Sequence, residues 1–147
     1  GDTLRACDVA KGNCTDFHSL FISMARAEEI PARFHMGVPL PNEQSVVKGY
    51  HCWAEFYLPG TGWVPVDASE AWKAPDKAEW FFAHHDGDRF SLTVGRDLRL
   101  DPAPATSDPI NILFYPYVEI DGQDFESVHM SYEYKPLPNQ ENERSIT

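Results

Sequence analysis

A chain of 147 residues with 42% hydrophobic and 13% aromatic content suits one compact domain of the usual ~100–200 residues, and disorder over most of its length is excluded. Its 23 Asp and Glu stand against 12 Lys and Arg, a formal net charge of −11 with no basic cluster, so nucleic acid and anionic membranes are excluded as partners. The three cysteines, Cys7, Cys14 and Cys52, leave at least one thiol outside any intrachain disulfide and form no C-x-x-C zinc pair.

No apolar run reaches the ~18–20 residues of a membrane span, and no signal peptide is recognisable. The chain opens at Gly1 without Met, so native sequence is expected to be missing before it. Cellular compartment and oligomeric state are not legible.

The first predicted element is a helix from Cys14. Gly12-Asn13 reads as a loop ending in a cap, with Asn13 capping the first turn and Asp16 complementing the dipole there. Phe17, Leu20, Phe21 and Met24 share one helical face, which predicts the buried stripe. Pro31 predicts an end near Ile30.

A strand is predicted over Arg33 to Val38, then a loop carrying Pro39, Pro41 and Asn42. Tyr50 to Leu58 reads as a second strand, Pro59-Gly60-Thr61-Gly62 as a turn, and Trp63 to Asp67 as the returning partner. Residues 71–80 hold a short helix. Phe90 to Val94 and Asn111 to Ile120 are predicted strands, the latter ending at an Asp121-Gly122 turn. Between them Asp101 to Pro109 carries three prolines and little regular structure. One helix followed by sequential strands predicts an α+β fold with an antiparallel sheet. A polar, aperiodic tail follows from residue 136, so the expected domain spans 1–135 and the tail 136–147.

Three side chains in this frame can carry chemistry. A thiol becomes a nucleophile at neutral pH when its pKa is lowered, and both a helix N-terminus and an imidazolium lower it. Cys14 falls in the first turn of the predicted helix, where free N–H groups could also stabilise an oxyanion. His51 would then be the base and Asp67 the carboxylate that orients it. Cys14 and His51 lie 37 positions apart and His51 and Asp67 lie 16 apart, room for a helix, a strand and a hairpin. Spacing permits this triad without requiring it; an inert buried Cys at a helix start is the alternative.

Gly12-Asn13-Cys14-Thr15-Asp16-Phe17-His18-Ser19-Leu20-Phe21, with Ala27 to Arg33 after it, resembles the nucleophile helix of bacterial transglutaminase-like proteins. Gly49-Tyr50-His51-Cys52-Trp53-Ala54-Glu55-Phe56-Tyr57 is similar to that family's His-Ala-Trp-x-Glu strand, and Gly62-Trp63-Val64-Pro65-Val66-Asp67-Ala68 to its Gly-Trp-x-x-x-Asp segment. The resemblance covers residues 12–68. It implies a papain-like core with the triad roles on Cys14, His51 and Asp67, and acyl transfer on a peptide or protein amide through a thioester. Water as acceptor makes a peptidase or amidase, the expected outcome; an amine makes a cross-linking transglutaminase. The rival of another class is a non-catalytic peptide-binding module of the same fold.

The family's second oxyanion donor usually comes from upstream of the nucleophile, yet no Trp, Gln or Tyr precedes Cys14. The donor is expected either before Gly1 or from a residue such as Asn13 or Tyr50. Beyond residue 70, Gly95-Arg96-Asp97 and Tyr115-Pro116-Tyr117-Val118 look like a bacterial subgroup.

Other side chains have plainer readings. His84-His85 with Asp86 and Asp88 are expected in an exposed loop, with no metal site. No D-x-D-x-D-G loop occurs, so no calcium or other cofactor is expected. His18, one turn after Cys14, is expected to play a supporting or purely structural role. Trp53, Trp63 and Trp80-Phe81-Phe82 are core candidates, with Trp53 also a candidate substrate contact beside Tyr50 and Asn13. Glu55 shares the His51 face and either modulates it or is solvated. Cys52 should be a small buried hydrophobe on the opposite face.

Strand parity adds a condition. A flush loop over Pro59 to Gly62 would put Ala54 opposite Asp67 and turn His51 away. Pairing Tyr57 with Trp63, or a bulge in either strand, sets His51 beside Asp67 instead. The triad predicts one of these registers.

Overall fold

The computed structural model describes residues 2–9, 11–40, 46–105 and 109–135. Helices α1 (Thr3–Val9) and α2 (Cys14–Ala27) precede strands β1 (Ala32–Pro39), β2 (His51–Leu58) and β3 (Gly62–Val66). Then come α3 (Ala68–Lys73), a 3-10 turn (Pro75–Lys77), α4 (Ala78–Phe81), β4 (Arg89–Val94) and a small hairpin, β5 (Glu119–Ile120) with β6 (Gln123–Asp124). The main sheet has the order β3-β2-β1-β4, antiparallel throughout, with α2 packed on it. This is the α+β architecture the sequence predicts.

Alternation along β2 sorts the molecule into two sides. Cys52 and Ala54 meet Phe34, Met36 and Ala32 of β1 and Ile22 of α2 in one buried cluster. A fully buried aliphatic side chain such as Ile22 contributes about 1.5–3 kcal/mol there. His51, Trp53 and Glu55 project from the other face, opposite Gly37, His35 and Arg33 of β1. Gly37 is required by crowding: a Cβ there would sit 2.1 Å from the Phe90 carbonyl oxygen and 2.8 Å from the Trp53 ring.

The α2 stripe differs from the predicted one. Met24 is 56% exposed, whereas His18 and Ser19 are buried with Ile22. Both of these polar side chains have partners: Ser19 Oγ accepts from Arg96 at 2.8 Å, and His18 is satisfied as described below. A hydrophobic period cannot register polar residues buried by hydrogen bonding. The helix also ends at Ala27, before the Pro31 limit. Glu29 takes φ 58, and the bonds Ile30 N–H to Ala25 O (2.9 Å) and Glu29 N–H to Arg26 O (3.1 Å) close a Schellman motif.

Two further differences lie before α2 and after β4. Helix α1 has no sequence signal beyond Asp2, whose carboxylate accepts the Arg5 amide at 3.0 Å; it forms by packing on α2. The strand predicted over Asn111 to Ile120 is reduced to Glu119–Ile120, with an isolated bridge at Ile110. Pro116 cannot donate to a ladder, and Ile112 and Phe114 instead pack with Val38 and Val47. The Asp121-Gly122 turn forms as predicted, both residues at positive φ. The tail from 136 lies outside the described residues.

Candidate active site

The site begins at the cap of α2. Asn13 is extended (φ −95, ψ −177) and accepts the Asp16 amide at 3.2 Å, while Asp16 accepts the Asn13 amide at 2.9 Å. This reciprocal box fixes where the helix starts. Cys14 is therefore its first residue, and the amides of Cys14 and Thr15 precede the first intrahelical bond. The exposed Asn13 uses its side-chain oxygen for the Asp16 amide and the Thr15 hydroxyl.

The half-buried Cys14 packs onto the cluster that contains Cys52. Its thiol meets two donors. The Cys52 S–H contributes most and His51 next, together outweighing burial and lowering the Cys14 pKa from 9.0 to about 4. His51 opens β2, and its Nε2 donates to Asp67 Oδ2 at 2.7 Å, which leaves Nδ1 for the thiol. Burial works against the imidazolium, but Asp67 and Cys14 outweigh it and raise the His51 pKa to about 9.

Asp67 follows β3 and is fully buried. Its Oδ1 accepts from Ser69 Oγ (2.9 Å) and the Glu70 amide (3.0 Å), capping α3. Its Oδ2 accepts from His51 and from Arg89 Nη1 at 2.8 Å. Burial alone would push this carboxyl up; the His51 ring and the Glu70 amide hold it below the usual carboxylate range.

The register that brings His51 to Asp67 is one of those required by parity. Tyr57 pairs with Trp63 and Leu58 with Gly62, so the ladder runs on to place Trp53 across from Asp67 and His51 on its diagonal. Gly60 and Gly62, at φ 85 and 102, make the tight turn.

His18 is fully buried with both nitrogens engaged. Nδ1 donates to the Cys14 carbonyl at 2.6 Å, and Nε2 accepts the Ala68 amide at 3.0 Å. It thereby ties the first turn of α2 to the start of α3, 3.5 Å from Asp67 Oδ1, and fits a supporting role rather than that of base. Trp53, 3% exposed, stacks on His35 at 5.5 Å and lies 6.2 Å from the His51 ring. Its indole faces these rings rather than solvent. Tyr50 is half-buried and shares with His51 a cleft of about 450 Å³, walled by Pro39, Glu70, Lys73, Asp86, Asp88 and Arg89.

The remaining candidates go elsewhere. Glu55 pairs with Arg33 at 2.6 Å and His35 at 2.9 Å, so it is neither solvated nor aimed at His51. Trp63 is 39% exposed beneath the Arg33 guanidinium, 4.0 Å from its ring centroid. His84 stacks on Trp80, and His85 donates to the Asp86 carbonyl at 2.9 Å.

Sequence reasoning missed Arg89. Its buried guanidinium spans Asp67 and Asp86, 2.8 Å from an oxygen of each, above the Trp53 ring. Only the antiparallel placement of β4 beside β1 brings it there, across 22 positions of sequence. The local sequence signals only the i,i+3 pairing of Arg89 with Asp86, and nothing near Arg89 marks Asp67 as its second partner.

The lowered thiol predicts its own pH profile. Between about 4 and about 9 the stable state is Cys14 thiolate with His51 imidazolium. Iodoacetamide labelling of Cys14 should therefore stay level from pH ~5 to ~8 and fall only as acid protonates the thiolate. Mass mapping at pH ~6 should find Cys14 labelled well before the exposed Cys7. A rate that climbs toward pH ~8.5, as for an ordinary thiol, would count against the ion pair.

Residues 1–68, which include all three of Cys14, His51 and Asp67, match the family described as the transglutaminase-like superfamily. An uncharacterized protein of Haemophilus influenzae is 35% identical over 161 aligned residues, covering 86% of this chain and 43% of that relative. The chain thus spans less than half the length of the relative. No solved structure matches.

Proposed function

We propose, from the match of residues 1–68 to the transglutaminase-like superfamily, that this chain is a cysteine-dependent amide hydrolase, a peptidase or amidase. The family suggests cysteine-dependent acyl transfer; the choice of acceptor and the residue roles are our reading. What carries it is the hydrogen-bonded run from the Cys14 thiol through His51 to the buried Asp67 carboxylate.

The thiolate of Cys14 attacks the amide carbonyl. The oxyanion gathers at the helix start, where the free amides of Cys14 and Thr15 stabilise it. His51 gives its Nδ1 proton to the leaving nitrogen, and a thioester remains on Cys14. Now neutral, His51 takes a proton from water, which attacks the thioester and frees the acid. Asp67 keeps the ring turned and stabilises each imidazolium. Peptide or protein amides are the proposed substrates, and the domain is proposed to occupy 1–135.

One observation favours water over an amine as acceptor. The cleft beside His51 is open and walled by the charged side chains of Glu70, Lys73, Asp86, Asp88 and Arg89. Such walls hold water beside His51, the base that would activate it, and an amine must displace that water. Incubation with a peptide-amide library and a labelled primary amine tests this. Release of acid product should outpace amine incorporation. Predominant amine-linked product would make the protein a cross-linking enzyme, and the absence of any turnover would make it a binding module.

A further inference from the structure

The nucleophile has a second thiol behind it. Where the strand that this chain resembles reads His-Ala-Trp, the sequence here reads His51-Cys52-Trp53. β2 turns His51 and Cys52 to opposite faces, yet Cys14, lying over the start of the strand, touches both. Cys14 packs against the cluster containing Cys52, and the His18 ring that lies against the Cys52 sulfur also bonds the Cys14 carbonyl at 2.6 Å. Cys52 is fully buried, with its Sγ 3.7 Å from His18 Nδ1, whereas Cys14 is half-exposed.

We propose that Cys14 and Cys52 form a peroxide-responsive pair, in which oxidised Cys14 is captured by Cys52 as a reversible disulfide that closes the site. The thiolate sulfur of Cys14 attacks one oxygen of hydrogen peroxide. The O–O bond breaks, leaving a sulfenic acid on Cys14 and hydroxide. The Cys52 sulfur then attacks the Cys14 sulfur, the S–OH bond breaks, and the departing hydroxide carries off the Cys52 proton as water. The Cys14 thiolate and the Cys52 thiol together lose two electrons, and one peroxide becomes one water and one hydroxide, which takes a proton from the His51 imidazolium to become the second water.

The order of events follows from exposure and charge. Peroxide reaches Cys14 and finds a thiolate; Cys52 has no surface to offer. Burial, and after it the Cys14 thiolate alongside, pushes the Cys52 thiol up and keeps it inert. Conversion of Cys14 to a neutral sulfenic acid removes that second cause at the moment a resolving thiol is needed. The two side chains share one packed cluster, and the sulfurs close to the S–S length of about 2.05 Å. Cys7, exposed on α1, takes no part.

The test uses the 147-residue chain carrying Cys7→Ala, so that two thiols remain. Stoichiometric hydrogen peroxide, denaturing alkylation and peptide mapping should show a loss of about 2 Da and a Cys14–Cys52 linked peptide. Dithiothreitol should restore both thiols. Cys52→Ala in the same background, given two or more equivalents of peroxide, should instead gain about 32 Da as sulfinic acid on Cys14, beyond rescue by dithiothreitol. A parent protein that gains oxygen on Cys14 while Cys52 stays free overturns the proposal, and so does a Cys14 that peroxide leaves untouched. Because mass is the readout, neither result bears on which acyl acceptor the site uses.

Discussion

Cys14→Ala should lower amide turnover by at least about 10³-fold, and His51→Ala should do the same, because nucleophile and base act as one unit. Without the thiol there is no thioester. Without His51 the thiolate loses its counter-ion, and the leaving nitrogen loses its proton donor. His18→Ala is the control that separates the two histidines. The two nitrogens of His18 are occupied by the Cys14 carbonyl and the Ala68 amide, so its loss should loosen the helix start and weaken turnover less than loss of His51. Measured kcat/KM, with folding checked by circular dichroism, decides this. A His51→Ala protein that keeps most of its rate while His18→Ala does not would mean the base has been misassigned.

Asp67→Asn should cost about 10³–10⁴-fold in kcat and destabilise the fold as well. Four donors converge on the two carboxylate oxygens: Ser69, the Glu70 amide, His51 and Arg89. An amide group has one acceptor oxygen and one NH2. Whichever way it turns, an N–H faces either the α3 cap or the pair of His51 and Arg89. The buried Arg89 then keeps only Asp86 as a partner, and breaking such a buried pair typically costs about 3–5 kcal/mol. The pH profile adds a reading that a purely structural loss would not give. Asp67 is the leading favourable cause of the raised His51 pKa of about 9. In the Asn variant the alkaline limb should move down toward the ordinary imidazole value of about 6.5. Activity within tenfold of wild type, with an unmoved alkaline limb, would remove Asp67 from the triad.

Local signals carried much of this protein. The Asn13-to-Asp16 cap, Pro and Gly at the turns, and the alternation over β1, β2 and β4 are written in neighbouring residues, and the elements fall where those rules put them. The α2 stripe was not legible, because His18 and Ser19 are buried by their hydrogen bonds, and hydropathy counts them as surface. The reduced strand after Asn111 failed for a related reason. Its apolar residues satisfy a strand pattern, but Ile112 and Phe114 find their partners in a core cluster instead of a ladder.

For the candidate site the division is sharper. Sequence by itself determined which residue types stand at Cys14, His51 and Asp67, and that a helix start would lie under the first of them. It also stated the parity condition without choosing the register that meets it. Tertiary structure chose the Tyr57–Trp63 pairing, buried Asp67, set Cys52 against Cys14 and brought Arg89 across the sheet to the carboxylate. The physical reason is range. Caps, turns and alternation act within about four residues along the chain, whereas charge pairing and burial act through space, between strands whose separation in sequence carries no mark of their meeting.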